Sequence, residues 1–200
     1  MTTVWFDKVK ACVGWGLADR ARIAKLRRCL DPGCGELIQA LAEQLAQFKD
    51  AQSLMSNARY VQRLHAVLHE WLTGLLAGTF DDEHVKARWA FGQRLLEVDL
   101  SFEDVILLEN LTRMQLSDVA QEQMDESPQA MLAAVNSLNK ALCLDLTLIH
   151  NGYLQVREGE MERAILDRFL AITGFSRTLF ENLAEAREWT QMEVQSASVP

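Results

Sequence analysis

Residues 61–100 read VQRLHAVLHEWLTGLLAGTFDDEHVKARWAFGQRLLEVDL. Just ahead of this stretch and within it, Tyr60, Val61, Leu64, Leu68, Trp71, Leu72 and Leu75 recur every three or four residues, which predicts a helix over about 59–77 with a broad buried face. Gly78-Thr79-Phe80 interrupts the pattern. Asp81 and Asp82 then supply the carboxylates that a helix N-terminus favours, and the next helix is expected to run to about 98. Its inward side is expected to carry Val85, Trp89, Gly92 and Leu96, with Leu95 beside them.

The same period continues in both directions. Leu17, Ile23, Leu26 and Leu30 predict a helix over 17–30, ended by Asp31-Pro32-Gly33. A second helix starts at Gly35 and presents Leu37, Ile38, Leu41, Leu45 and Phe48 on one face, and residues 50–58 form a polar connection. Downstream, Ser101 and Asp104 form a capping pattern ahead of the apolar run Val105 to Met114, and the helix they open is expected to reach about 123. Ser127-Pro128 is a cap followed by proline at the first helical position, and the period from Met131 to Val156 marks the longest helix of the chain. No strand alternation persists and no repeat of 20–50 residues occurs. The fold class is all-α, and four cysteines are too sparse for a disulfide framework in a chain of this size.

Two hundred residues with 49% hydrophobic and 24% charged side chains describe one folded core with room for an appendage. The expected organisation is an N-terminal segment 1–16, a helical domain 17–157, a helical extension 158–189 and a disordered tail 190–200. A net charge of −8 works against nucleic acid and anionic lipid as partners. The chain shows neither an apolar run of about 20 residues nor the apolar stretch of a signal peptide near Met1, so the cytoplasm is the expected location. The four cysteines are expected as reduced thiols. Cys29 and Cys34, flanking the Asp31-Pro32-Gly33 turn, keep a redox pairing as the alternative.

The segment containing Leu64, Trp71, Leu76-Ala77-Gly78, Asp81-Asp82-Glu83-His84-Val85, Arg88, Gly92 and Val98-Asp99-Leu100 resembles the middle of the sensor-type globins, the globin-coupled sensors and protoglobins. The resemblance covers about residues 18–157. It implies a globin-like helical bundle whose long final helix builds a dimer and leads into a signalling element, in a bacterial protein. Family members that hold haem carry the iron-binding histidine a few residues before the end of the helix that opens at the acidic start. An ungapped count places Leu95 there, and leucine has no lone pair for iron. The resemblance is therefore to the branch that kept the globin helices and lost haem, as in the sensory heads of stressosome proteins. Haem is disfavoured as a cofactor. Phe48, Leu68, Trp71, Trp89, Phe91 and Leu95 are the side chains expected to fill the family's haem pocket, or to line a site for an apolar small molecule.

None of the four histidines replaces that ligand. His84 lies eleven residues before Leu95, about 16 Å along a helix axis. His65 and His69 share a face but lack a third metal ligand, and His150 is expected at a surface or interface. No nucleophile with a base, no phosphate loop and no converging carboxylates appear; Asp81, Asp82 and Glu83 suit a helix start, and Glu158, Glu160 and Glu162 a solvated face. No enzymatic activity is expected. Ile165, Phe169, Ile172, Phe175, Leu179, Phe180 and Leu183 need an apolar partner, and self-association through 128–157 and 160–189 supplies it most simply. The expected function is a homodimeric sensory module acting on an unknown downstream signalling protein. The alternative is a haem-based gas sensor with a non-standard ligand.

Overall fold

The computed structural model describes residues 3–49, 55–95, 100–124, 127–179 and 182. Among the described residues seven α-helices follow one another: α1 (Thr3–Val13), α2 (Leu17–Leu30), α3 (Cys34–Phe48), α4 (Ala58–Ala77), α5 (Asp82–Arg94), α6 (Phe102–Gln123) and α7 (Pro128–Thr173). No strand occurs among the described residues. The chain divides into two compact units, Met1–Gln155 and Val156–Pro200, with the boundary inside α7. The expected disordered tail, 190–200, lies outside the described residues, as do Phe180 and Leu183.

Local chemistry sets most helix ends. The Asn57 side chain accepts from the backbone N–H of Arg59 and Tyr60 at the start of α4, and Gly78 closes α4 in the left-handed conformation at φ 57°. Asp81 caps α5 through the N–H of His84. At the start of α6 the capping box is complete: Asp104 N–H donates to Ser101 Oγ at 3.2 Å, and Ser101 N–H donates to Asp104 Oδ2 at 2.8 Å. Ser127 Oγ accepts from Ala130 N–H ahead of α7. The Asp31-Pro32-Gly33 turn is a single 3₁₀ turn that hands α2 to α3.

Residues 1–16, the N-terminal segment for which no helix was expected, contain α1. Phe6 of α1 is buried in the core and meets the Phe80 ring at 6.1 Å. Trp15 packs edge-on to Phe80 at 5.0 Å, and Lys10 donates to the Phe80 carbonyl. These contacts hold Phe80 at φ 45°, a strained value for a residue with a side chain, and so fix the corner between α4 and α5. α1 is a short helix, and the burial of Phe6 depends on a corner distant in sequence.

Within the first unit α2 and α3 pack against α4 and α6, and α4 packs against α5. α7 is joined to α2 by a polar staple. Asp19 accepts from Ser137 Oγ at 2.7 Å and from Lys140 Nζ at 3.1 Å. Burial alone would raise the Asp19 carboxyl, but hydrogen bonds from Ser137, Lys140 and the Gly16 N–H outweigh it and hold it below the ordinary aspartate value. One 18-residue window of α7 reaches a mean hydropathy of 1.3, more apolar than the sequence reading allowed for, and half of it is buried. Leu138, Leu142, Leu144, Leu148 and Ile149 of α7 are all core residues.

In the second unit α7 continues to Thr173, where Gly174 turns at φ 72°. Met161, Ile165, Phe169 and Ile172 are exposed along it, at spacings of four, four and three. Glu158, Glu160 and Glu162 are exposed as well.

Candidate functional site

The apolar faces of α4, α5, α6 and α7 converge on a cavity of about 10 Å³, lined by Val67, Leu68, Trp71, Phe91, Leu95, Leu100, Val105, Leu108 and Ile149. That volume is at the threshold for a single water molecule. Leu95 sits directly after α5, 2% exposed, and its neighbours in the lining are aliphatic or aromatic throughout. The only polar atom on these nine side chains, the Trp71 indole nitrogen, donates to Asp145 Oδ2 at 2.9 Å.

Of the six residues expected to fill or line such a pocket, Leu68, Trp71, Phe91 and Leu95 do line the cavity. Phe48 and Trp89 do not. Phe48 is 57% exposed at the last position of α3, past the point where that helix faces the core. Trp89 is half-buried, and its backbone carbonyl lies against α7 at Gly152. The inward face of α5 is made by His84, Val85, Arg88, Phe91 and Gly92, with Leu95 buried directly after the helix. It is rotated by about one residue from the face that Val85, Trp89, Gly92 and Leu96 would make.

Arg88 is the cause of that rotation. It is 3% exposed, and Asp145 on α7 is 1% exposed. Arg88 Nε and Nη2 donate to the two Asp145 oxygens at 2.6 and 2.8 Å, a bidentate pair that also receives the Trp71 indole. The guanidinium lies 4.7 Å from the centre of the Phe91 ring. This arrangement ties α4, α5 and α7 together immediately beside the apolar cavity. Gly74 on α4 makes room for it, since a Cβ there would meet Arg88 Nη1 at 2.3 Å. Asp145 was not singled out by the sequence reading, yet both members stand at positions of otherwise apolar helical stripes: Arg88 four residues before Gly92, and Asp145 between Leu142 and Ile149. Two opposite charges at core positions of separate helices were the signal available.

Other buried polar groups surround this pair. Glu109 on α6 is 5% exposed and pairs with Arg113; burial raises its carboxyl pKa, Arg113 opposes that, and the Asp145 charge adds to it. His84 is 8% exposed, packed edge-on to Phe80. Burial lowers its pKa below the ordinary histidine value; Asp145 and Asp81 pull the other way, and Arg88 reinforces the lowering. Between the unfolded value of about 6.5 and the lower folded one, the unfolded chain therefore binds more protons. Stability is expected to fall as pH drops below about 6.5, and urea midpoints at pH 7.5 and 5.5 should be closer together in His84→Phe than in the parent.

His65 is half-buried, His69 exposed, and His150 stacks on Phe102 at 4.3 Å. Among the described residues no group of three or more His, Cys, Asp or Glu side chains is arranged to hold a metal ion. Cys29 and Cys34 are half-buried free thiols, and burial together with the Asp31 charge raises the Cys34 pKa.

Comparison with known proteins identifies the fold and the family. The globin domain of the Geobacter sulfurreducens globin-coupled sensor superposes with a TM-score of 0.64 at 17% identity, over 74% of this chain and 96% of that domain. No curated protein matches the sequence. The Protoglobin family profile matches residues 5–158, which takes in all of α1 to α6 except the first residues of α1, and α7 to just beyond the end of the first unit. The chain belongs to the protoglobin family.

Proposed function

We propose that this chain is a globin-type sensory module that works without haem, as a homodimeric regulatory protein of the bacterial cytoplasm acting on a downstream signalling partner. The observation that carries the reading is the lining around Leu95. Where the family's iron ligand is expected, a leucine is packed among eight other apolar side chains around only about 10 Å³ of space. The residues present do not fit haem. They offer iron no imidazole, thiolate or phenolate, and their packing leaves no slot for a macrocycle. The same tightness favours a filled pocket over one that takes a large apolar ligand, because an empty one would forfeit dispersion contacts.

Support for the dimer comes from apolar surface in each unit separately. In the first, Ile106 and Met114 of α6 and Leu132 and Leu154 of α7 are exposed; in the second, the Met161, Ile165, Phe169 and Ile172 stripe is exposed. A two-fold contact lets each stripe serve as its own partner. A change in the packing of the core would then bias two arrangements of the paired helices, and α7 would carry that bias onward. The role is regulatory rather than catalytic.

The test is expression with added haem, followed by absorption spectroscopy and sedimentation of the same sample. The expected result is a dimer with no stoichiometric Soret band. A red protein with one haem per chain overturns the haem-free reading, and a monomer at micromolar concentration overturns the dimer.

A further inference from the structure

Separate from the apolar cavity, α4 and α5 border a cleft of about 400 Å³ lined by His69, Glu70, Thr73 and Gly74 on one side and His84, Ala87 and Arg88 on the other. The two sites share no lining residue. The cleft is within the size range of small-molecule sites, about 300–1,000 Å³.

Two of its groups are more than nine-tenths buried and have hydrogen-bonding capacity left over. Arg88 spends Nε and Nη2 on Asp145, and among the described residues its Nη1 has no acceptor. That nitrogen lies against the bare backbone of Gly74 at the cleft. His84 Nε2 is buried without a partner. Thr73 contributes an exposed hydroxyl, and His69 stands exposed beside it. The one carboxylate of the lining, Glu70, is already paired with Arg94. Donors therefore exceed free acceptors, and a guanidinium, an imidazole and a hydroxyl are the groups that recognise planar or tetrahedral oxyanions.

We propose that the α4–α5 cleft binds a small oxyanion, a carboxylate or a phosphate, with Arg88 Nη1, His84 and Thr73 as donors. The bound anion would touch the same guanidinium that holds Asp145, so occupancy would reach α7 and the Trp71 indole through a single side chain. The proposal does not depend on whether the core holds haem.

Isothermal titration calorimetry on the full chain at pH 7, with sodium acetate, succinate and phosphate as probes and sodium chloride at matched ionic strength as reference, tests it. The expected result is saturable binding of at least one probe beyond the chloride reference, the carboxylate and phosphate arms telling the two sources apart, accompanied by a change in tryptophan fluorescence. Thr73→Val combined with His84→Phe, which keeps the ring contact with Phe80, should weaken that binding at least tenfold. Should the double variant fail to fold, Thr73→Val alone, at an exposed site, should weaken it severalfold. Absence of saturable binding for all three probes overturns the proposal, and so does binding of equal strength in the folded variant.

Discussion

Replacing Asp145 by alanine is expected to destabilise the fold by about 3–5 kcal/mol, the range for removing one partner of a buried ion pair. The size follows from what is left behind. Arg88 remains, 3% exposed, with two of its donors facing an alanine methyl, and the Trp71 indole loses its acceptor as well. The guanidinium is packed between Gly74 and the Phe91 ring, which holds its Nε and Nη2 where Asp145 stood. The pair itself is a different quantity from the cost of breaking it. Desolvating two charges offsets most of their attraction, so a double replacement, Arg88→Met with Asp145→Leu, should recover most of the loss and come within about 1–2 kcal/mol of the parent. Urea denaturation of the parent, Arg88→Met, Asp145→Leu and the double variant closes the cycle, with Asp145→Ala measured beside them. A coupling energy near zero would mean that the bidentate contact contributes nothing beyond packing. Trp71 provides a second readout, since loss of its acceptor changes the environment of a buried indole.

Most helix boundaries were legible because they are written in short-range chemistry. Asp81, Ser101 with Asp104, and Ser127-Pro128 each satisfy backbone groups within three residues, and the helices begin where those residues stand. The identity of the apolar lining was partly legible for the same reason: Leu68, Trp71, Phe91 and Leu95 lie at positions that a helical period already turns inward. Phe48 and Trp89 show where periodicity stops being informative. At a helix end the face of the last residue has no neighbour to bury it, and on α5 the larger apolar side chain lost the inward position to an arginine whose partner stands 57 residues away. Apolar periodicity assigns a charged residue to solvent, and only pairing with another misplaced charge reverses that. α1 was missed on similar grounds, since the burial of Phe6 depends on the corner at Phe80, far along the chain.

The second large effect is expected at the crossing of α5 and α7, where two glycines allow backbone to touch backbone. A Cβ on Gly92 would lie 2.1 Å from the carbonyl oxygen of Ile149, and a Cβ on Gly152 would lie 2.0 Å from the carbonyl oxygen of Trp89. Both obstacles are main chain of a packed helix, so no side-chain rotation relieves the overlap. Either substitution, Gly92→Ala or Gly152→Ala, must push the helices apart along the seam that also holds Arg88 against Asp145, beside the cavity that Leu95 and Ile149 line. Each is expected to cost at least the ~3 kcal/mol upper end of ordinary overpacking, despite alanine's advantage of about 1 kcal/mol over glycine within a helix. Gly159, on α7 in the second unit, has nothing within 4 Å of its would-be Cβ, so Gly159→Ala should gain from the propensity alone and stabilise slightly. Thermal melts of the three variants separate the two effects by sign. If Gly92→Ala and Gly152→Ala melt with the parent, the close crossing is absent and the α5–α7 seam is held further apart than the carbonyl contacts require. The double variant adds a sharper test. Once one alanine has opened the crossing, the second finds room already made, so the combined loss should fall clearly short of the sum of the single losses.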